Sequence, residues 1–185
     1  MTTDTESEKL YTISEIDDLI KKQVVTFKHT LADAILFLLY ADRHPIKGKI
    51  KQQKEVFLAL KEVMNTLNIQ PVKFIKHRYG PYSEEVEDTI DQLVFSNFIS
   101  VSGDKRTNDF AIEITPDGME YIKEKFKDVP VDVQERLKAK REEWDTHTTQ
   151  GILKVVYTYY DEYLEKSVFK DRYKKINWED ENQVD

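Results

Sequence analysis

Residues 31–42 read LADAILFLLYAD, and Leu31, Ala34, Ile35, Phe37, Leu38 and Leu39 leave that segment apolar on nearly every face. A helix without a polar side has to be enclosed by other elements. The fold must therefore be built around this one segment. The apolar run 34–41 is far too short to cross a bilayer, so the enclosure is expected to be protein. Thr30 is placed to cap the helix, with Asp33 at the favourable first turn.

The chain has 185 residues, which suits one domain with an extension. Hydrophobic residues make up 39%, enough for a core, and charged residues 34%, enough for a heavily solvated surface. There is no cysteine, which excludes disulfides and thiolate metal sites. The start, MTTDTESEKL, is acidic and lacks an apolar signal core, so a cytoplasmic location is expected.

Residues 1–10 read as a flexible tail. Thr12 and Glu15 match a capping box for a helix from 13 to about 22. HPIKGKI at 44–50 reads as a turn around Pro45 and Gly48. Ile50, Val56, Phe57, Leu60, Val63, Met64 and Leu67 then set a helical period over 49–67. Lys47, Lys49, Lys51 and Lys54 fall before or outside that stripe and are expected to face solvent. VKFIKHRY at 72–79 suggests a short extended segment. GPYS should turn the chain, with Ser83 as N-cap of a helix over 84–96 whose inward residues are Val86, Ile90, Leu93 and Val94.

Residues 98–122 are the most readable part. Ile99 and Val101 begin a hairpin whose tip is SGDKRTND, and Phe110, Ile112 and Ile114 alternate inward on its return. Thr115 with Pro116 starts another helix, directing Met119, Ile122 and Phe126 to the core. The order predicts a mainly α, α+β fold: a winged helix-turn-helix-like core over 11–127, with the hairpin as its wing. Residues 128–178 read as a helical extension. Val129, Val133, Leu137 and Trp144 share a helical face there, and Asp132 with Glu135 suggests a cap. A second helix, 152–164, carries Tyr157, Tyr159, Tyr160 and Tyr163 and could serve core docking or a homodimer seam. Residues 179–185 form an acidic tip.

The net charge of −7 argues against a general polyanion binder, yet residues 43–78 carry nine Lys/Arg against two acids. The nine include Lys47, Lys49, Lys51, Lys54 and Arg78. With Lys105 and Arg106 at the hairpin tip, they are candidates for contact with DNA phosphates or an acidic partner. The corner RYGPYS adds Arg78, a fork of donors, with Tyr79 and Tyr82 shaping the surface. The same corner also reads as a rigid turn: Gly80 supplies an unusual backbone geometry and Pro81 fixes its own. Against DNA stands the helix that follows, whose outward face is Glu84, Glu85, Glu87, Asp88 and Asp91. That face would suit a basic protein instead.

Enzymatic signals are thin. His29, His44, His77 and His147 are scattered, suggesting surface or turn positions, and no metal or phosphate-loop motif occurs. Neither a cofactor nor a metal is expected. A hydrolase built on His77 is a remote alternative, with no activated nucleophile in view.

The apolar helix Ala34–Tyr40, the Lys/Gln-containing helix Lys49–Leu60, YGPYS at Tyr79–Ser83, FISV at Phe98–Val101 and ITPDG at Ile114–Gly118 follow one another in an order that resembles the YwgA-like group of small bacterial and archaeal proteins. The Tyr157–Tyr160 and Glu165–Ser167 segments resemble the tail of that group, so the likeness covers about residues 30–170. The chain is also distantly similar to SocA-like (Panacea) antitoxin domains through the Tyr79-Gly80-Pro81 turn. The first likeness implies a fold and no catalytic set. The second implies toxin neutralisation and protein–protein contact. The expectation is a non-catalytic macromolecule-binding protein: a DNA-binding transcription regulator or antitoxin-like module, with a protein-interaction module as the alternative.

Overall fold

The computed structural model describes residue 12, residues 26–104, residue 107 and residues 109–174. The expected tail 1–10, the helix over 13–22, Lys105 and Arg106, and the acidic tip 179–185 lie outside the described residues.

Helix α1 (Leu31–Asp42) leads through β1 (Ile46–Lys47) to α2 (Lys49–Leu58), which continues as a π-helical turn over Ala59–Val63. A small hairpin, β2 (Ile75–His77) and β3 (Gly80–Tyr82), precedes α3 (Glu84–Phe95). A second hairpin, β4 (Ile99–Ser102) and β5 (Ala111–Ile114), follows. Then come α4 (Pro116–Lys127), α5 (Val131–Thr146), α6 (Thr149–Tyr159), a 3-10 turn over Asp161–Leu164 and α7 (Lys170–Lys174). The protein is mainly helical with a small antiparallel sheet.

The apolar helix lies where its composition demands. Ile35 to Leu39 are fully buried, enclosed by α2, α3, α4, α5 and β5. Its start is a complete capping box: the Thr30 hydroxyl accepts from the Asp33 backbone N–H at 3.1 Å, and Asp33 accepts from the Thr30 N–H at 2.9 Å. Thr115 caps α4 in one direction only, its hydroxyl accepting from Gly118 N at 3.0 Å, with Pro116 in the first turn. Gly118 is there for space. A Cβ at that position would lie 2.2 Å from the Phe98 carbonyl oxygen.

The main sheet has the order β1-β5-β4, all antiparallel, with Ile46 opposite Ile112 and Ile99 opposite Ile114. Strand β1 corrects the reading of 44–50 as a turn alone. Pro45 and Gly48 bend the chain, but the two residues between them pair with β5. Likewise Gly80 to Tyr82 form a strand, and the turn of that hairpin is Arg78–Tyr79. On α5 the suggested Asp132–Glu135 cap does not form. Pro130 occupies the N-cap position and offers no side-chain hydrogen bond.

Residues beyond 128 share the core of the residues before them. Val133, Leu137, Arg141 and Trp144 of α5 are buried, and α5 packs on α1. Ile152, Leu153, Val156 and Tyr157 of α6 are buried, and α6 packs on α2. Tyr160 and Tyr163 meet Phe57 edge-on, with ring centres 4.8 and 5.2 Å away. The face considered as a homodimer seam is thus engaged within the chain, and only Tyr159 of the four tyrosines is largely exposed. Among the described residues no helix is long and apolar enough to cross a membrane.

Trp144 tests the shared core. Trp144→Ala should lower the unfolding free energy by about 3–5 kcal/mol in a single urea transition. A loss well under 1 kcal/mol, or a second transition, would show that the C-terminal helices are a separate unit.

Candidate functional site

The stretch KQQKE at 51–55 is the point where the sequence misleads most. Its lysines lie off the apolar stripe, yet every residue from Lys51 to Ala59 is buried. The expectation that Lys47, Lys49, Lys51 and Lys54 share a solvent face therefore fails for Lys51 and Lys54. An amphipathic reading assumes one wet side, but α1, β1, β3, α3 and α6 together surround α2. Buried polar groups need partners; Lys51, Gln53, Lys54 and Glu55 find specific ones, whereas Gln52 Nε2 has no hydrogen-bond partner among the described residues.

Gln53 and Lys54 hold the Gly-Pro corner. The Gln53 carboxamide accepts from Ser83 N and donates to Ser83 O, both at 3.0 Å, the pairing a neighbouring strand would offer. The Lys54 ammonium donates to the Pro81 carbonyl at 2.7 Å. Gly80 sits between Lys54 and Tyr157 with φ +82°, and a Cβ there would lie 3.2 Å from the Tyr157 ring and 3.4 Å from Lys54 Cε. Tyr157 in turn shares a 2.7 Å hydrogen bond with Ser167, and Val168 N donates to Arg78 O. Ser83 stands at the N-cap of α3, but its side chain makes no capping bond; its backbone is held by Gln53 instead.

The other end of the stretch forms a buried ion cluster. Arg141, fully enclosed, donates to Glu55, to Asp145 Oδ1 at 2.9 Å, to Asp42 Oδ1 at 3.2 Å and to the His44 carbonyl at 3.1 Å. Lys51 Nζ lies 3.5 Å from Glu55 and 3.6 Å from Asp145. Burial pushes the Glu55 carboxyl up to about 7, against the opposing pull of Arg141 and Lys51. Burial also drives the Lys54 amine down to about 7.

Among the described residues the remaining candidates converge only in part: Lys47 and Lys49 line one groove with Lys51, and Arg78 does not. Lys47 is exposed on β1 and Arg78 on the β2–β3 turn, in different sheets. Lys49 is ion-paired to Glu87. Tyr79 is half-buried, 6.0 Å from Phe169. Tyr82 donates to Glu87 at 2.7 Å, and that bond to a carboxylate pushes its hydroxyl up to about 12. Of the histidines, His29 is buried against the edge of Phe37, contrary to the expected surface position.

The most coherent exposed surface lies on α3. Glu84, Asp88, Asp91 and Phe95 recur at helical spacing and are all exposed, Phe95 at 94%. Asp88, Asp91, Gln92, Phe95 and Ser96 line a shallow depression. The acidic half of this stripe is plain in the sequence. Phe95 is not, because the inward period ends at Val94.

No family model matches the chain, and no curated protein matches it.

Two predictions follow from the corner. Gly80→Val should cost about 1–3 kcal/mol, because a β-branched residue is forced to positive φ; an unchanged melting curve would overturn this seat for Gly80. The Lys54 amine has its pKa lowered from 10.5 to about 7, so the unfolded chain holds its proton more tightly. The penalty is fully present below pH ~7 and is relieved as pH rises towards ~10.5. Lys54→Met should therefore flatten the gain in urea midpoint between pH ~7 and ~9.5. An equal slope in both proteins would assign that gain to another group.

Proposed function

We propose that the protein is a non-catalytic protein-interaction module that docks a basic segment of another protein along α3. The observation that carries this reading is the exposed stripe of Glu84, Asp88, Asp91 and Phe95. Carboxylates in a row attract Lys and Arg of a partner, and a protruding aromatic ring supplies the apolar anchor that interfaces favour.

The reading includes a winged-helix variant as the core. In support, helix, strand, two helices and a hairpin follow in order, and the first strand adds to the hairpin's return strand. The small hairpin β2–β3 is then an insertion between the second and third helices. In DNA-binding relatives of that arrangement, one helix enters the major groove. Here the corresponding helix is α3, whose carboxylates would meet phosphate with repulsion. Of the basic residues expected to offset this, Lys51 and Lys54 are internal and Lys49 is paired.

Kinship with the YwgA-like group and the SocA-like antitoxin domains is part of this proposal, carried by the Tyr79–Ser83 and Ile114–Gly118 motifs. Both motifs have structural work in this chain, through Gly80 and Gly118. An antitoxin-like role fits a module that binds protein through an exposed helix.

The test is site-directed photo-crosslinking with the full chain in a cell extract. A crosslinker in place of Asp88 should trap a protein through a Lys/Arg-rich segment, and one in place of the exposed Lys138 on α5 should not. The combined change Glu84→Lys, Asp91→Lys and Phe95→Ser should abolish trapping without moving the melting curve. Salt-sensitive binding of the wild-type protein to random-sequence duplex DNA, with nothing trapped at position 88, would overturn the reading in favour of a DNA-binding regulator.

A further inference from the structure

On the outer side of the Arg141 cluster, Asp145 Oδ2 accepts one 3.3 Å bond from Arg141 and keeps a lone pair, and Asp42 carries a carboxylate oxygen that the cluster does not use. Asp42 is the last residue of α1, and its side chain is only 2% exposed. Its Oδ1 accepts from Arg141 and from His44 N. Its Oδ2 is buried and, among the described residues, has no hydrogen-bond partner. A buried carboxylate oxygen left this way is costly.

Two other groups face that oxygen. His44 Nδ1 lies 3.7 Å from Asp42 Oδ2 and 4.0 Å from Asp145 Oδ2, and one atom from each of the three side chains falls within 4.8 Å of the others. Ligand atoms held about 2.0–2.2 Å from a tetrahedral metal stand roughly 3.4 Å apart. The imidazole, 72% exposed, has room to close the small difference.

The charge balance runs the same way. Three acids, Asp42, Glu55 and Asp145, face two cations, Arg141 and Lys51. Helices α1 and α5 also both end here, at Asp42 and Thr146, and helix C-termini favour cations. Asp145 lines a groove of about 770 Å³, together with Lys47, Lys51, His147 and Thr148. Asp145, 25% exposed, is the ligand on that side.

We propose that Asp42 Oδ2, Asp145 Oδ2 and His44 Nδ1 bind a first-row divalent cation, with zinc the best match to one imidazole and two carboxylates. The ion joins the C-terminal ends of α1 and α5 on the solvent side, as Arg141 joins them within. Two aspartates a hundred residues apart and one histidine have no spacing signature, so only the fold reveals them.

The experiment is calorimetric titration of tag-free, full-length protein with zinc chloride, paired with cobalt(II) absorption spectra. The wild type should take up one zinc per chain and show cobalt d–d bands in the visible range. His44→Ala should weaken uptake at least about tenfold and erase the bands. The exposed position of His44 keeps this variant folded. Asp145→Asn should do the same, and His147→Ala should change neither. Zinc should raise the melting temperature of the wild type but not of His44→Ala. No uptake by the wild type at ~100 µM zinc would overturn the proposal, as would equal uptake by His44→Ala.

Discussion

Arg141 is the side chain on which the rest of the structure depends. It is fully enclosed and bonded to groups on α1, α2, α5 and the segment after α1. An unpaired guanidinium could not be kept in such a place. Removing one member of a buried pair typically costs about 3–5 kcal/mol, far more than an exposed pair contributes. The cluster therefore works as a constraint. α1, α2 and α5 must reach one mutual arrangement, because in any other at least one charge is stranded. Apolar packing by core residues such as Phe37, Phe57 and Trp144 is less particular about angle and register.

The same logic explains the polar α2. Gln53 and Lys54 spend their hydrogen-bonding capacity on Ser83 and Pro81, and the Gly80 corner becomes part of the interior. The residues that looked most like a recognition surface, Arg-Tyr-Gly-Pro-Tyr-Ser beside a row of lysines, are in good part the internal joinery of the fold. The outer side of α3 differs: it carries three carboxylates and a phenyl ring on one exposed stripe, which nothing in the core requires.

Much of this was legible in the sequence. Thr30, Thr115 and Pro116 mark helix starts by local chemistry, and the alternation of Phe110, Ile112 and Ile114 marks a strand by its period. Such signals act over a few residues, so they survive without knowledge of the fold. Strand β1 was hidden because two residues are too few to display alternation, and its pairing partner lies more than sixty residues away. The burial of Lys51 and Lys54 was hidden for a related reason. Sequence periodicity detects one apolar face, whereas a helix wrapped on all sides by polar as well as apolar partners looks amphipathic until its neighbours are known. Arg141, Asp42 and Asp145 carry ordinary surface identities, and only long-range packing brings them together.

The seat of Gly80 has a bearing on synthesis. Its walls are Lys54, already made, and Tyr157, which leaves the ribosome much later; the hydrogen bond from Val168 to Arg78 comes later still. Contacts of such sequence separation form only after the intervening chain has been brought round. A nascent chain that has already emitted the whole β1-β5-β4 sheet still exposes the corner and the Lys54 amine to water. The corner's interior is thus closed by Tyr157 and the residues around Val168, and it stays incomplete until they arrive.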